Sequence, residues 1–370
     1  MDVSSGSARE MPPTLPADLG QRLSDRLRAA LDAGDLSGAR QLALGGDGQA
    51  RSLEKEYALM YKGLGMTIRI LLDLLGGTVA RNAAPERESA GKALADLLLR
   101  FRREMIVVLQ QAYAAGVVRQ AIEEMPDLPI SSSSGRFDRD LARTARLLAG
   151  AESLFSRQQA RWAREVVRAI EAEDAEGARA VVDQKERGEY VPLHDRLIRF
   201  MAEVFGYVLE RFGPAELYRF HRATAEGQRQ GFEEWDRLTP AEFAAATAFL
   251  LKQHMGNLEV REDEEKFTMV QTPCGSGGRL RLAGAYSGPE ALPFVEERGA
   301  LTLGQERFPV YCSHCPIWNS VAPIEWFGRP HWVFETPARP DGSCTLHIYK
   351  RHDGAPASYY RQLGLREGGR

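Results

Sequence analysis

Residues 193–212, LHDRLIRFMAEVFGYVLERF, carry the strongest structural signal in the chain. Apolar side chains recur there at spacings of three and four, which places them on one face of an α-helix. Residues 53–75, LEKEYALMYKGLGMTIRILLDLL, repeat the pattern. Two long helices, each with one apolar face, predict a bundle in which these faces pack together. The two stripes are Leu193, Leu197, Phe200, Val204, Val208 and Phe212, and Leu53, Tyr57, Met60, Leu64, Ile68, Leu71 and Leu75.

A second match suggests that this helical body is an internal duplication. Residues 31–40, LDAGDLSGAR, resemble residues 170–179, IEAEDAEGAR, at an offset close to that between the stripes. We therefore predict one repeat unit over 17–124 and another over 137–257, separated by a Pro- and Ser-rich linker at 125–136. The alternative is coincidence between two Ala-rich amphipathic stretches.

The pattern changes after residue 257. Short β-branched and aromatic runs, interrupted by Gly and Pro, predict strands at 266–272, 308–311, 331–335 and 345–349, with 279–282 as the return strand of a hairpin. The predicted fold is thus α+β: a mostly helical body followed by a small β-rich module over 258–350. Residues 1–16 are expected to be a flexible N-terminus and 351–370 a short tail.

Composition narrows the functional classes. The 370 residues carry 48 basic and 51 acidic side chains, a net charge of −3, which gives no overall field to attract nucleic acid. We expect neither nucleic acid nor a membrane as partner, because no apolar run is long enough to span a bilayer. The N-terminus lacks a secretory pattern, which predicts the cytoplasm, where thiols stay reduced.

The four cysteines all fall in the β-rich module: Cys274, Cys312, Cys315 and Cys344. In a cytosolic chain such clustering favours a metal site over disulfides. Three turns could present four thiolates to one Zn²⁺, and an iron–sulfur cluster is the second possibility. A redox pair of Cys312 and Cys315, or four unlinked thiols, remain the alternatives to metal. A closed site with four sulfur ligands is structural, whereas a site with an open position can be catalytic.

Two further groups of residues are candidates for substrate chemistry. Gly275, Gly277 and Arg279 lie in the loop CGSGGR, which could cradle a carboxylate or phosphate or be only a hairpin turn. His314 and His347 lie near cysteines and could move protons or replace a thiolate ligand. Glu325 lies among aromatic residues, where burial could raise its pKa toward a general acid or base, or it could form an ordinary salt bridge.

The pair His194-Asp195 opens the second apolar helix and could act as a base in a pocket between helices. The matching positions of the first unit, Glu54 and Lys55, repeat no such pair. We therefore interpret His194 and Asp195 as boundary residues near a helix start.

Together these features favour a zinc-containing enzyme, a hydrolase or lyase, acting on a small carbonyl- or carboxylate-bearing molecule where the body meets the module. The alternatives are a regulatory protein that binds a ligand or partner and carries a structural zinc, and an iron–sulfur redox protein. The oligomeric state does not follow from the sequence.

Overall fold

The structure is a computed structural model that describes residues 15–45, 53–82, 87–125, 136–337 and 341–366. It is mostly helical and has a small antiparallel sheet in the last third, so the α+β prediction is confirmed. Most of the expected flexible N-terminus (1–14) and of the linker (126–135) lies outside the described residues.

Eleven helices of the described ranges form the helical body, which ends at residue 253. They are α1 (Leu23–Asp32), α2 (Leu36–Gly45), α3 (Leu53–Glu56), α4 (Leu64–Asn82), α5 (Arg87–Ala112), α6 (Ala115–Glu123), α7 (Arg136–Glu171), α8 (Ala175–Lys185), α9 (Val191–Glu226), α10 (Arg229–Asp236) and α11 (Pro240–Gln253). Short π-helical turns at Leu59–Gly63 and Glu186–Tyr190 lead into α4 and α9.

Both predicted apolar stripes are buried, except for half-buried Phe212, and α4 packs against α9. The stripe of α9 ends where predicted, because Gly213 adopts φ 82° and Pro214 follows. The chain then continues as a second helical stretch that reaches the C-terminal part of the protein.

The two segments that resemble each other in sequence form the same local structure. Each is a helix end, a turn with one positive φ (Gly34 at 73°, Glu173 at 59°) and a new helix. Asp35 and Asp174 cap the second helix of each pair, and each carboxylate accepts a backbone N–H three residues on at 2.8 Å.

These two helix pairs also contact each other reciprocally. Arg40 bonds to Glu171 at 3.0 Å, and Arg179 bonds to Asp32. Arg179 and Glu171 are the counterparts of Arg40 and Asp32 in the sequence match. Reciprocal contacts of this kind are what a two-fold relation between like units produces.

The C-terminal module, residues 258–350, contains a four-stranded antiparallel sheet in the order β1-β2-β6-β5 and a two-stranded pair β3-β4. Its strands are β1 (Leu258–Glu262), β2 (Lys266–Gln271), β3 (Phe294–Val295), β4 (Phe308–Pro309), β5 (Val333–Glu335) and β6 (Cys344–Tyr349). Its helices are α12 (Gly277–Leu282), α13 (His314–Pro316) and α14 (Ala322–Phe327), and α15 (Ala357–Gln362) follows in the tail.

The prediction of a strand at 279–282 is wrong, since these residues belong to α12. The sequence Arg-Leu-Arg-Leu alternates, but four residues are too few to separate a strand from a helical turn. The burial is helical: Leu280 is 6% exposed and Leu282 is 54% exposed, whereas a strand would place both on one face.

Module and body share one continuous hydrophobic core. Buried polar contacts also cross between them. His221 of α9 lies 2.9 Å from the hydroxyl of Ser313, and Trp332 Nε1 donates to Thr247 Oγ1 of α11 at 3.2 Å. The body therefore fixes the position of the loops that carry the cysteines.

Candidate functional site

Three segments of the C-terminal module bring the four cysteines into one region. Cys274 lies in the turn between β2 and α12, Cys312 and Cys315 lie on consecutive helical turns after β4, and Cys344 begins β6. Strand pairing puts Gln271 opposite Cys344, so the Cys274 turn lies beside the start of β6. All four are free, half-buried thiols. We call them the cysteine cluster.

The electrostatics of the cysteine cluster disfavour thiolates. Burial raises the pKa of Cys312 to about 11 and is also the main cause of the raised pKa of Cys315 and Cys344. For Cys315, negative charge on the other three cysteines raises the pKa further. Arg281 opposes this effect at Cys312, where Nη1 lies 3.6 Å from Sγ. Several thiolates can coexist here only if a cation neutralises them.

Within the described ranges, no group of three or more His, Cys, Asp or Glu side chains has an arrangement that could hold a metal ion. The structure thus brings the four predicted ligands into one region without assembling them into a coordination shell.

A cavity of about 350 Å³ lies where the helical body meets the C-terminal module, and we call it the junction cavity. Cys274, Cys315 and Cys344 line it, and Trp318 presents an indole whose Nε1 is buried and has no hydrogen-bond partner among the described residues. This nitrogen has almost no accessible surface, so the indole contributes its ring and not its donor to the cavity wall. Much of the remaining wall is aromatic: Phe232, Trp235, Tyr311, Trp332 and Phe334.

A second cavity, of about 330 Å³, lies within the C-terminal module, and we call it the module cavity. All four members of the cysteine cluster line it, together with Arg281 and Arg307. Cys312 lines this cavity and is absent from the lining of the junction cavity. The other three thiols border both spaces.

His314 lies at the junction cavity, as the sequence analysis required of a catalytic or ligand residue. Its Nδ1 is bonded to the carbonyl oxygen of Tyr311, and its Nε2 lies 3.6 Å from Cys315 Sγ. A carbonyl only accepts, so Nδ1 carries the hydrogen and Nε2 carries the lone pair. Burial lowers the pKa of His314 to about 4, which keeps the ring neutral at physiological pH.

His347 lies elsewhere and lines neither cavity. Alternate residues of a strand face opposite sides of a sheet, and Cys344 and Leu346 of β6 line the junction cavity. His347 therefore points the other way, where it contacts Thr268 Oγ1 at 3.0 Å and Glu335 Oε1 at 3.1 Å. It links three strands of the sheet.

Glu325 is also remote from both cavities. It lies on α14, is 43% exposed and forms an ion pair with Arg222 of the helical body. Arg329, four residues further along the chain, binds Asp236 at 2.8 Å. The salt-bridge interpretation of Glu325 is the one that matches this position, and its partner is Arg222.

The loop CGSGGR does not present Arg279 to a cavity. Because residues 277–282 are helical, Arg279 and Arg281 point in different directions instead of sharing a face. Arg279 donates to Asp195 Oδ1 at 2.6 Å and to the carbonyl oxygen of Met255 at 3.0 Å. Arg281, which the sequence analysis did not single out, is the arginine of this helix that lines a cavity.

The two glycines of the loop permit close packing. A Cβ on Gly275 would overlap the carbonyl oxygen of His254, and a Cβ on Gly277 would lie 2.8 Å from Cys312 Sγ. Gly277 lines the module cavity, and Gly275 lines neither cavity.

The structure gives His194 and Asp195 a larger role than the sequence suggested. His194 is fully buried, with Nδ1 2.8 Å from Asp195 Oδ1 and Nε2 2.8 Å from Nδ1 of His254. His254 lines the junction cavity. The adjacency of His194 and Asp195 was visible in the sequence, but no local pattern connects them to His254, which lies 60 residues further on.

In comparisons with protein-family models, curated proteins and solved structures, none matches this chain. Across the described residues, no helix combines the length and the apolar character needed to cross a membrane.

Proposed function

We propose that this protein is a zinc-dependent enzyme, a hydrolase or lyase, that acts on a small carbonyl- or carboxylate-bearing molecule in the junction cavity. The cysteine cluster would hold the Zn²⁺. One observation carries the proposal: all four cysteines of the chain, from three separate segments, line one cavity of the C-terminal module, and three of them also line the cavity between this module and the helical body.

Zinc suits this group of residues chemically. Buried thiols that raise one another's pKa lose their protons readily only when a cation binds the resulting thiolates. Zn²⁺ prefers tetrahedral thiolate and imidazole ligands. A cysteine side chain turns about a single χ1 angle, so each Sγ can change position without a change of the backbone. Of the two histidines considered as replacement ligands, His314 is adjacent to Cys315 and borders the cavity, and His347 faces away.

An open coordination position is needed for catalysis, and Cys312 is the thiolate best placed to vacate one. Arg281 contacts its sulfur and would stabilise the free thiolate. Cys274, Cys315 and Cys344, which border both cavities, would then remain on the metal. The zinc would supply Lewis acidity toward a carbonyl oxygen.

Cationic side chains beside the cysteine cluster support the substrate class further. Arg281 and Arg307 in the module cavity are the cations that suit a carboxylate. Free thiols throughout fit a reducing compartment, and we propose the cytoplasm as the location.

The test is elemental analysis with X-ray absorption at the metal edge, on protein purified without a metal-binding tag. One zinc with three sulfur neighbours and one nitrogen or oxygen supports the enzyme. Zinc with four sulfurs that stays unchanged with added ligands points instead to a regulatory protein with a structural site, and iron with sulfide points to redox chemistry. Absence of any metal refutes the proposal.

Variants separate ligands from neighbours in the same experiment. Cys274→Ser and Cys344→Ser should each lose most of the zinc. Ser276→Ala is the matched control, because its hydroxyl lies 3.4 Å from Cys274 Sγ without being a thiol. Equal zinc content in all three variants would show that these cysteines are not ligands.

A further inference from the structure

His254 is connected to the half-exposed carboxylate of Asp195 through a second histidine. His254 follows the last residue of α11, and its Nδ1 lies 2.8 Å from His194 Nε2. The other ring nitrogen of His194 lies 2.8 Å from Asp195 Oδ1. Arg279 also binds Asp195, with Nη2 2.6 Å and Nε 3.1 Å from Oδ1.

The carboxylate determines where the hydrogens lie in this chain. Asp195 only accepts, so Nδ1 of His194 carries a hydrogen and donates it. Nε2 of His194 then has the lone pair and accepts from Nδ1–H of His254. Arg279 Nη2 has two hydrogens and lies 2.9 Å from His194 Nδ1 as well as 2.6 Å from Asp195 Oδ1, but a lone pair on Nδ1 would face the negative carboxylate oxygen at 2.8 Å, so the carboxylate favours a hydrogen on Nδ1. His254 is left with its lone pair on Nε2.

That lone pair is available to a ligand. Among the residues that the structure describes, none forms a hydrogen bond with Nε2 of His254. Nε2 is also absent from the set of fully buried polar atoms without a partner, so it is not fully buried. His254 lines the junction cavity, while His194, Asp195 and Arg279 do not. Nε2 of His254 is thus an acceptor nitrogen at the cavity, and the hydrogen bond between His254 Nδ1 and His194 fixes the orientation of the ring.

We propose that His254 is the proton acceptor of the junction cavity and that His194 and Asp195 are its positioning residues. In the step, an X–H bond of the substrate or of a water molecule breaks, its hydrogen joins Nε2 of His254, and the electron pair stays on X. The positive charge on the imidazole is shared with His194 through their hydrogen bond and offset by Asp195. The inference rests on the proposed function only in taking this cavity as the place of reaction.

The hydrogen positions can be tested without substrate or metal, by NMR of the protein labelled with ¹⁵N-histidine. We expect His194 and His254 each to carry the hydrogen on Nδ1 and a lone pair on Nε2. His194→Gln and His254→Gln assign the two sets of signals. A hydrogen on Nε2 of His254 in the wild-type protein would overturn the proposal.

The positioning role of Asp195 can be tested separately, through the tautomers of His194 and His254 in a variant. In Asp195→Ala, Arg279 becomes the nearest partner of His194 Nδ1 and can only donate to it, so both tautomers should invert. A merely structural role of Asp195 would leave the tautomer of His254 unchanged. If this variant does not fold, the wild-type spectrum still decides the inference.

Chemical reactivity tests whether the lone pair faces open space. Diethyl pyrocarbonate acylates accessible neutral imidazoles, so peptide mass spectrometry should find His254 modified at least about tenfold faster than buried His194. Protection of His254 equal to that of His194 would refute an open Nε2. Metal content of His254→Gln should equal that of the wild type, and loss of metal would make His254 a ligand instead of a base. If wild-type protein holds no metal but shows the expected tautomer and reactivity, the zinc proposal fails and the His254 assignment stands.

Discussion

Glu56 should make the stability of this protein fall as the pH rises through neutrality. It is 3% exposed, and it caps α1 from a distance: its two carboxylate oxygens accept the backbone N–H groups of Leu23 at 2.5 Å and Ser24 at 2.9 Å. Burial, with Glu186 adding negative charge nearby, raises the pKa of Glu56 from 4.5 to about 7.

The sign follows from proton uptake. Between these two pKa values the folded protein binds more protons at Glu56 than the unfolded chain, so stability declines with increasing pH. From about pH 5 to about pH 8 the decline amounts to roughly 2.5 kcal/mol. Glu56→Gln removes this contribution. It also loses one acceptor for the α1 N–H groups, at a cost of roughly 1–3 kcal/mol that does not depend on pH.

The measurement is urea unfolding of wild type and Glu56→Gln at several pH values, followed by circular dichroism. The stability difference between the two proteins should change by about 2.5 kcal/mol over the range, with the variant gaining relative to wild type as the pH rises. Exposed Glu210→Gln is the control and should run parallel to wild type. Parallel curves for Glu56→Gln as well would refute the reasoning.

Three further predictions concern the module and the body. Gly277→Ala should slow modification of Cys312 by a thiol reagent, measured by peptide mass spectrometry, because the added Cβ would lie 2.8 Å from Cys312 Sγ and cover it; an unchanged rate would contradict this packing. Glu325→Gln should cost less than about 1 kcal/mol in urea unfolding, because its pair with Arg222 is half-exposed, and a larger loss would show a buried role. Burial lowers the pKa of Lys185 to about 8, so the unfolded chain binds more protons than the folded protein and stability rises with pH. Between about pH 7 and pH 10, wild type should gain roughly 2 kcal/mol over Lys185→Met in urea unfolding. The same dependence of unfolding free energy on pH in both proteins would exclude this effect.

The sequence predicted features that depend on repetition along the chain. The stripes of α4 and α9 extend over many turns, so their period identified both the helices and the buried face. The cysteines were recognisable as a group because all four fall within the last hundred residues. These predictions used only spacing and composition, which do not depend on the tertiary arrangement of the chain.

Predictions that depended on direction were less reliable. Arg279 was expected to face a ligand, but a single helical turn at 277–282 sends it toward Asp195 and leaves Arg281 at the cavity. His347 is close in sequence to Cys344, yet an odd offset along a strand places it on the other side of the sheet. The contact between His194 and His254 joins α9 to the end of α11 and has no local signature at all.

The shared core also changes the argument about what a metal would do here. Short strands and loops bury little apolar surface by themselves, and in a module of this size that stood alone a metal would supply the stability that the core lacks. In the structure the module buries Phe267, Met269, Leu346 and Ile348 in one core that is continuous with the helical body. Polar contacts such as His221 to Ser313 would be lost if the two parts separated. A metal at the cysteine cluster is therefore not needed to create a core, and removing it should disturb the cavity walls more than the fold. The proposed chemistry, rather than stabilisation of an isolated module, is then the stronger reason for three of the four thiols to line the junction cavity.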